Sequence, residues 1–266
     1  MHILTQNLRM GRGNLLGFGI GLAALSLVSV LFLPSIQESG QELQRLINSM
    51  PKGMLAAFGV SDQVDLFTPE GFLQGRLFAL MVPLLLIIQG VGIGSATIAG
   101  EEERGQLEVV AAHPVGRTRL FLEKLGVLVV ALLFSSLLLF LSVWLGLQAV
   151  GVSLPLSHQL AAVSGSFLLG LLFGGLALAL GAWNGRRAAA LGLASLTAVV
   201  TYLWNALAPL NKDLADSQKL SPFYLATGYE PLRNGFDWGY TAILLGLTLL
   251  VLALGLLRFR QRDIGV

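Results

Sequence analysis

Six stretches of this chain, 14–33, 77–98, 125–147, 160–182, 188–208 and 237–257, are apolar almost throughout. Each is long enough to cross a hydrocarbon core of about 30 Å as a helix of roughly 20 residues. Inside lipid no water is present to bond a lone backbone group, so a spanning chain must be helical or form a closed barrel. Barrel strands would show about ten residues of alternating polarity each, and these windows are too long and too uniform for that. The pattern therefore predicts an all-α integral membrane protein with six transmembrane helices.

Composition agrees. Of the 266 residues 55% are hydrophobic and 12% charged, whereas soluble domains are about a quarter charged. About half the chain lies in the six windows, and no connecting segment is large enough for a second core. One integral domain over 1–266 is expected. Arg9 and Arg12 precede the first window as in a signal peptide, but its apolar run exceeds the usual h-region. Leu33, Pro34, Ser35 and Ile36 also offer no small-x-small cleavage site, so the window is expected to remain as an anchor. Cysteine is absent, which removes disulfides and thiol metal sites.

The distribution of Lys and Arg sets the orientation. With a cytoplasmic N-terminus the inside carries Arg9, Arg12, Arg104, Arg117, Arg119, Lys124, Arg186, Arg187, Arg258, Arg260 and Arg262 in short segments. The outside then carries Arg45, Lys52, Arg76, Lys212, Lys219 and Arg233, spread over longer loops. Both termini are accordingly expected in the cytoplasm and the chain in the plasma membrane. Trp144, Trp183, Trp204 and Trp238 fall near span ends, where indoles prefer to sit.

Outside, Leu43, Leu46, Ile47, Met50, Met54, Leu55 and Phe58 recur at helical spacing. They predict an amphipathic helix, bent near Pro51, that acts either as a lid on the bundle or as an outer release surface. The last external loop, 211–236, reads as a structured cap. Inside, the connection between spans four and five is a bare turn at Asn184, Gly185, Arg186 and Arg187, which forces an antiparallel pair. The one internal segment of useful size is 101–119.

That segment reads E-E-E-R-G-Q-L-E-V-V-A-A-H-P-V-G-R-T-R. Its first half is acidic, which suits a helix N-terminus, and its second half is basic, which suits an anionic leaflet. The acidic half should turn away from the membrane, leaving Leu107, Val110 and Ala111 as an apolar stripe without lipid to cover it. Two readings stay open, a solvated surface helix and a helix that docks a cytoplasmic partner.

At these residues the chain resembles the permease subunits of ABC exporters of the ABC-2 type. In them an acidic run, a Gly, a Leu-Glu pair, a Pro and an Arg form a cytoplasmic coupling helix between spans two and three. Glu101, Glu102, Glu103, Gly105, Leu107, Glu108, Pro114, Val115 and Arg117 match, while Gln106 stands where a Thr is usual. The basic run from Leu8 to Gly17 and the strings Asn205 to Leu210, Ser221 to Tyr224, Pro231 to Gly235 and Arg258 to Ile264 are similar to further family signatures in the same order.

The resemblance implies the ABC-2 (type V exporter) transmembrane fold. It also implies a pathway built by two permeases, identical or homologous, and two copies of a separate cytoplasmic ATPase. ATPase coupling would fall to Glu101, Glu102, Glu103, Gly105, Leu107, Glu108, Pro114 and Arg117. The chain contains no G-x-x-x-x-G-K-[ST] phosphate loop, so ATP and Mg are expected in the partner and no cofactor on this chain. Membrane lipids complete the partners, and no nucleic acid is expected. The expected cargo is a hydrophobic or amphipathic compound such as an antibiotic, peptide or lipid.

Two other classes compete. An intramembrane enzyme would need reactive groups inside the bundle. However, His2, His113 and His158 all lie outside the spans, and the residues five beyond Glu101 and Glu102 are Gln106 and Leu107 rather than an Arg. An ion-coupled secondary transporter would place charges near the bilayer middle, and no Asp, Glu, Lys or Arg falls in the central half of any window. Gln89 is the notable mid-span polar residue, beside Gly90, Gly92 and Gly94. It serves either as an interhelical hydrogen bond or as part of the substrate path. Gly170 and Gly174 read as a packing pair.

Overall fold

The computed structural model describes residues 12–35, 68–105, 116–211 and 213–262. Every secondary-structure element among them is helical. The amphipathic helix expected over 43–58 lies outside the described residues, as do Leu107, Glu108, Pro114 and Val115. Six helices are long and apolar enough to cross a membrane, one for each apolar window of the sequence. The chain is thus a multi-pass, all-α membrane protein.

The helices are α1 (Arg12–Leu31), α2 (Pro69–Leu73), α3 (Val82–Thr97), α4 (Ala99–Glu103), α5 (Arg117–Ala149), α6 (Leu156–Asn184), α7 (Arg187–Leu207), α8 (Pro231–Asn234) and α9 (Trp238–Gln261). The second span is a composite. It begins at α2, where Thr68 Oγ1 accepts the Gly71 N–H at 3.2 Å as an N-cap. It then widens into a π-type stretch, Gln74–Met81, and continues as α3. The start expected at residue 77 was too late because Glu70, Gln74 and Arg76 make the first two turns polar.

The centre of the bundle is α6, with 78% of its apolar window buried against 17% for α7. Glycine explains how it gets so close to α3. A methyl group at Gly90 or Gly94 would overlap the carbonyl oxygen of Gly170 or Gly174, so the two backbones touch along a G-x-x-x-G face on each helix. Lipid tails are as apolar as leucine, so such close packing, rather than expulsion of water, draws membrane helices together. Around this axis α1 packs on α5, and α7 and α9 pack on α6.

The turn from α6 to α7 is as tight as its sequence required. Gly185 adopts φ +66° as the C-cap of α6, and its N–H bonds the Gly181 carbonyl at 2.9 Å. Between α7 and α9 the chain does more than cap the end of the bundle. Phe223, Ala226 and Leu232 are at most 2% exposed, and a methyl at Gly165 of α6 would come within 2.5 Å of the Ala226 carbonyl. Residues 222–235 therefore form a short helical hairpin inserted into the bundle.

Candidate partner site at the Glu101 end

Below α3 the chain turns at Ile98 into α4, which carries Glu101, Glu102 and Glu103 on successive positions. Because successive helical residues point about 100° apart, the three carboxylates reach three different neighbours. Lys124 Nζ of α5 donates to both oxygens of Glu101, at 2.5 and 2.6 Å. Arg262, just beyond α9, grips Glu102 with both terminal nitrogens, at 2.5 and 3.0 Å. Glu103 accepts the backbone N–H of Arg187 at 2.8 Å, placing a carboxylate at the positive end of α7. Three further hydrogen bonds close the ring. Arg262 Nη1 reaches the Ala182 carbonyl of α6 at 3.4 Å, and Arg117 Nη1 donates to the carbonyls of Arg260 and Arg262.

A five-residue helix thus reaches the ends of α5, α7 and α9 through hydrogen bonds that skip far along the chain, and Arg262 ties α6 to the same cluster. The pairs differ in strength. Lys124 is 1% exposed and Glu101 12%. Removing one partner of such a pair strands a charge in low dielectric and costs about 3–5 kcal/mol. Arg262 and Glu102 are 21% and 24% exposed, so solvent and salt screen that pair more. Beneath them Ile98, Leu120, Phe121, Leu178 and Phe259 form an apolar layer, with the Phe121 and Phe259 rings 6.1 Å apart. Beside it Arg258 lies over the Trp183 ring at 5.5 Å, which shields part of an exposed indole.

The family resemblance groups Glu101, Glu102, Glu103, Gly105 and Arg117. The structure brings the three acids and Arg117 into one network. Gly105 stands apart, at φ +68° with open space where a Cβ would go. Its N–H bonds the Glu102 carbonyl at 2.9 Å. Glu101 and Glu102 are turned towards Lys124 and Arg262 of the bundle itself, and Glu103 towards the backbone N–H of Arg187.

Three members of the network were missed as such. Lys124 and Arg262 were counted only as cations that set topology, and Gly185 only as part of a turn. A methyl at Gly185 would stand 2.5 Å from both Glu102 Oε1 and Arg262 Nη2, so the glycine is the seat on which that pair rests. No local pattern announces this, since Glu102 and Arg262 lie 160 residues apart.

Gln89 sits midway along the bundle, 6% exposed, and donates from Nε2 to Ser135 Oγ of α5 at 2.9 Å. Gln89 Oε1 and Ser136 Oγ are buried without a partner.

A family model described as Multidrug efflux system permease Rv1217c, C-terminal domain, matches residues 4–260. No curated protein matches the chain.

Proposed function

The chain belongs to the family of that multidrug efflux permease domain, and from this premise we propose that it is the membrane subunit of an ATP-driven exporter. In this reading two copies, or two homologous permeases, line the pathway. A separate cytoplasmic ATPase present in two copies docks on segment 101–119. Closure of the ATPases on ATP displaces α4, and the bundle passes to a state open on the other side. The cargo is a hydrophobic or amphipathic compound.

The observation that carries this is the reach of α4. A push on a helix bonded to α5, α7 and α9 moves the ends of all three together, whereas a loose surface helix would absorb it. The acids then have a division of labour. Glu101, Glu102 and Glu103 pass motion into the bundle, and Leu107 and Glu108, further along the segment, meet the partner. An ion-coupled transporter draws less support. Among the described residues Lys124 is the one charged side chain that is fully buried, and it lies at the end of the bundle, paired with Glu101.

The test separates docking from coupling in proteoliposomes. Leu107→Asp and Glu108→Gln should reduce the amount of co-purified ATPase. Glu101→Gln and Glu102→Gln should leave it bound but lower transport per ATP hydrolysed, and Gly105→Leu should behave like them because its backbone favours glycine. If all five variants bind and transport as the parent does, segment 101–119 is an ordinary surface segment. Orientation is checked separately. Single cysteines at Ser157 and Ser217 should react with an impermeant thiol reagent in whole cells, and those at Thr118 and Gln261 should not. Labelling of Thr118 from outside would place the Glu101 end away from any cytoplasmic ATPase.

A further inference from the structure

At the opposite end of the second span, Gln74 is 8% exposed and both ends of its side-chain amide are engaged. Its Nε2 donates to the Thr227 carbonyl at 3.1 Å, and its Oε1 accepts the Leu232 N–H at a long 3.5 Å. These two partners flank the tip of the inserted hairpin, where Glu230 holds φ +55°. Side chains other than glycine seldom adopt that backbone form, and they hold it only where surrounding contacts fix it. Some of those contacts are visible. Asn234 Nδ2 donates to the Tyr229 carbonyl at 2.6 Å, and His158 Nδ1 of α6 bonds the Leu232 carbonyl at 3.0 Å. Leu232 is thus held through its N–H by the second span and through its carbonyl by α6.

Gln74 is also the first residue of the π-type stretch Gln74–Met81. Such wide turns leave backbone bonds less regular and occur often at functional positions. The second span then reads as one continuous helical run. It has an acidic clasp at one end, a glycine contact with α6 in the middle, and a side-chain fastening to the hairpin at the other end.

We propose that Gln74 is a positioning residue of the transport cycle, fastening the 222–235 hairpin to the second span so that the hairpin moves when the Glu101 end is displaced. This rests on the ATP-driven reading above. The amide suits the task because it offers a donor and an acceptor at once without a charge. Leucine offers neither, and glutamate keeps the acceptor while setting a carboxylate against the Thr227 carbonyl.

The experiment uses the whole transporter with its co-purified ATPase in nanodiscs. Leu225→Cys, buried in the hairpin and the one thiol in the permease, is titrated with a maleimide in nucleotide-free and vanadate-trapped samples. With Gln74 present, the labelling rate should differ between the two states. In Gln74→Leu the nucleotide-free rate should rise about five-fold, the equivalent of losing one net hydrogen bond. The difference between the two states should vanish while hydrolysis continues. Gln74→Glu is read in the same way and serves if the leucine variant fails to assemble. A state difference that survives in both variants overturns the proposal. So does a parent whose labelling ignores vanadate while its ATPase is active, an outcome that leaves the ATPase reading intact. Absence of any co-purified ATPase overturns both readings, and it is seen on a gel before any labelling begins.

Discussion

The two ends of the bundle are closed by different chemistry. At the Glu101 end, carboxylates meet Lys124, Arg262 and the first N–H of α7. At the far end, a neutral amide, an imidazole and backbone carbonyls do the joining, helped by Tyr240 packed against the rings of Tyr224 and Tyr229 at 5.6 and 5.7 Å. Charged pairs keep much of their attraction when displaced by an ångström, whereas neutral hydrogen bonds weaken steeply with distance and angle. A clasp of the first kind can yield without letting go. One of the second kind holds a single geometry or none. The Glu101 end can therefore stay bonded through a displacement, while the hairpin end keeps one register.

The largest effect should come from breaking the buried pair. Glu101→Gln or Lys124→Met alone should lower stability by about 3–5 kcal/mol. The double substitution should recover most of that loss, as read by thermal unfolding in detergent. If each single variant costs no more than the double, burial is not what gives the pair its weight.

The Glu102–Arg262 pair is more exposed and should behave differently. Arg262→Met is expected to cost about 1 kcal/mol, and the cost should shrink as salt is raised, because partly exposed charges are screened. Salt should leave Gln74→Leu unchanged. An equal salt response at both ends would erase the contrast.

The far end should instead be sensitive to alkali. Burial raises the Tyr229 pKa, offset in part by a bond to the Asp237 backbone. A folded-state pKa above the unfolded value means that the stability present below about pH 10 is lost as pH rises further. Unfolding followed between pH 9 and 11 should steepen for the parent and flatten for Tyr229→Phe, with no such change at the Glu101 end. The smallest effect belongs to Thr68→Ala, which removes one exposed N-cap bond at the start of the second span, for about 0.5 kcal/mol. It should loosen protection of α2 in hydrogen exchange and leave α4 alone.

Sequence carried the six spans because each is a local property. Twenty apolar residues suffice whatever surrounds them. The G-x-x-x-G pair at Gly170 and Gly174 was legible for the same reason, although its partner face, Gly90 and Gly94, emerged only when α3 and α6 were placed side by side. The site was less legible. Glu101, Glu102 and Glu103 announced themselves by composition, but what they bind depends on residues from 23 to 160 positions away. Gln74 lies three residues before the expected start of span two, where nothing in the sequence singles it out, and its partners lie 153 and 158 positions on. The hairpin reads from sequence as part of a structured cap, and its insertion into the bundle is not visible there because turn residues are usually exposed. Here Thr227 and Asn234 bond carbonyls within the hairpin and Ser221 bonds the Thr201 carbonyl of α7, and that lets it sink into an apolar surround.

Helix α7 has 21 residues, a rise of about 32 Å at 1.5 Å per residue, while α5 has 33, or about 50 Å. The long helix can tilt and still keep both ends wet. The short one has no surplus, and little of its apolar window is covered by the rest of the described chain. Such a helix acts as a gauge of bilayer thickness. In membranes with longer acyl chains the bilayer must thin around α7, and that deformation reaches Arg187, where Glu103 is attached. A change in bilayer thickness is therefore expected to reach α4 through the Arg187–Glu103 bond.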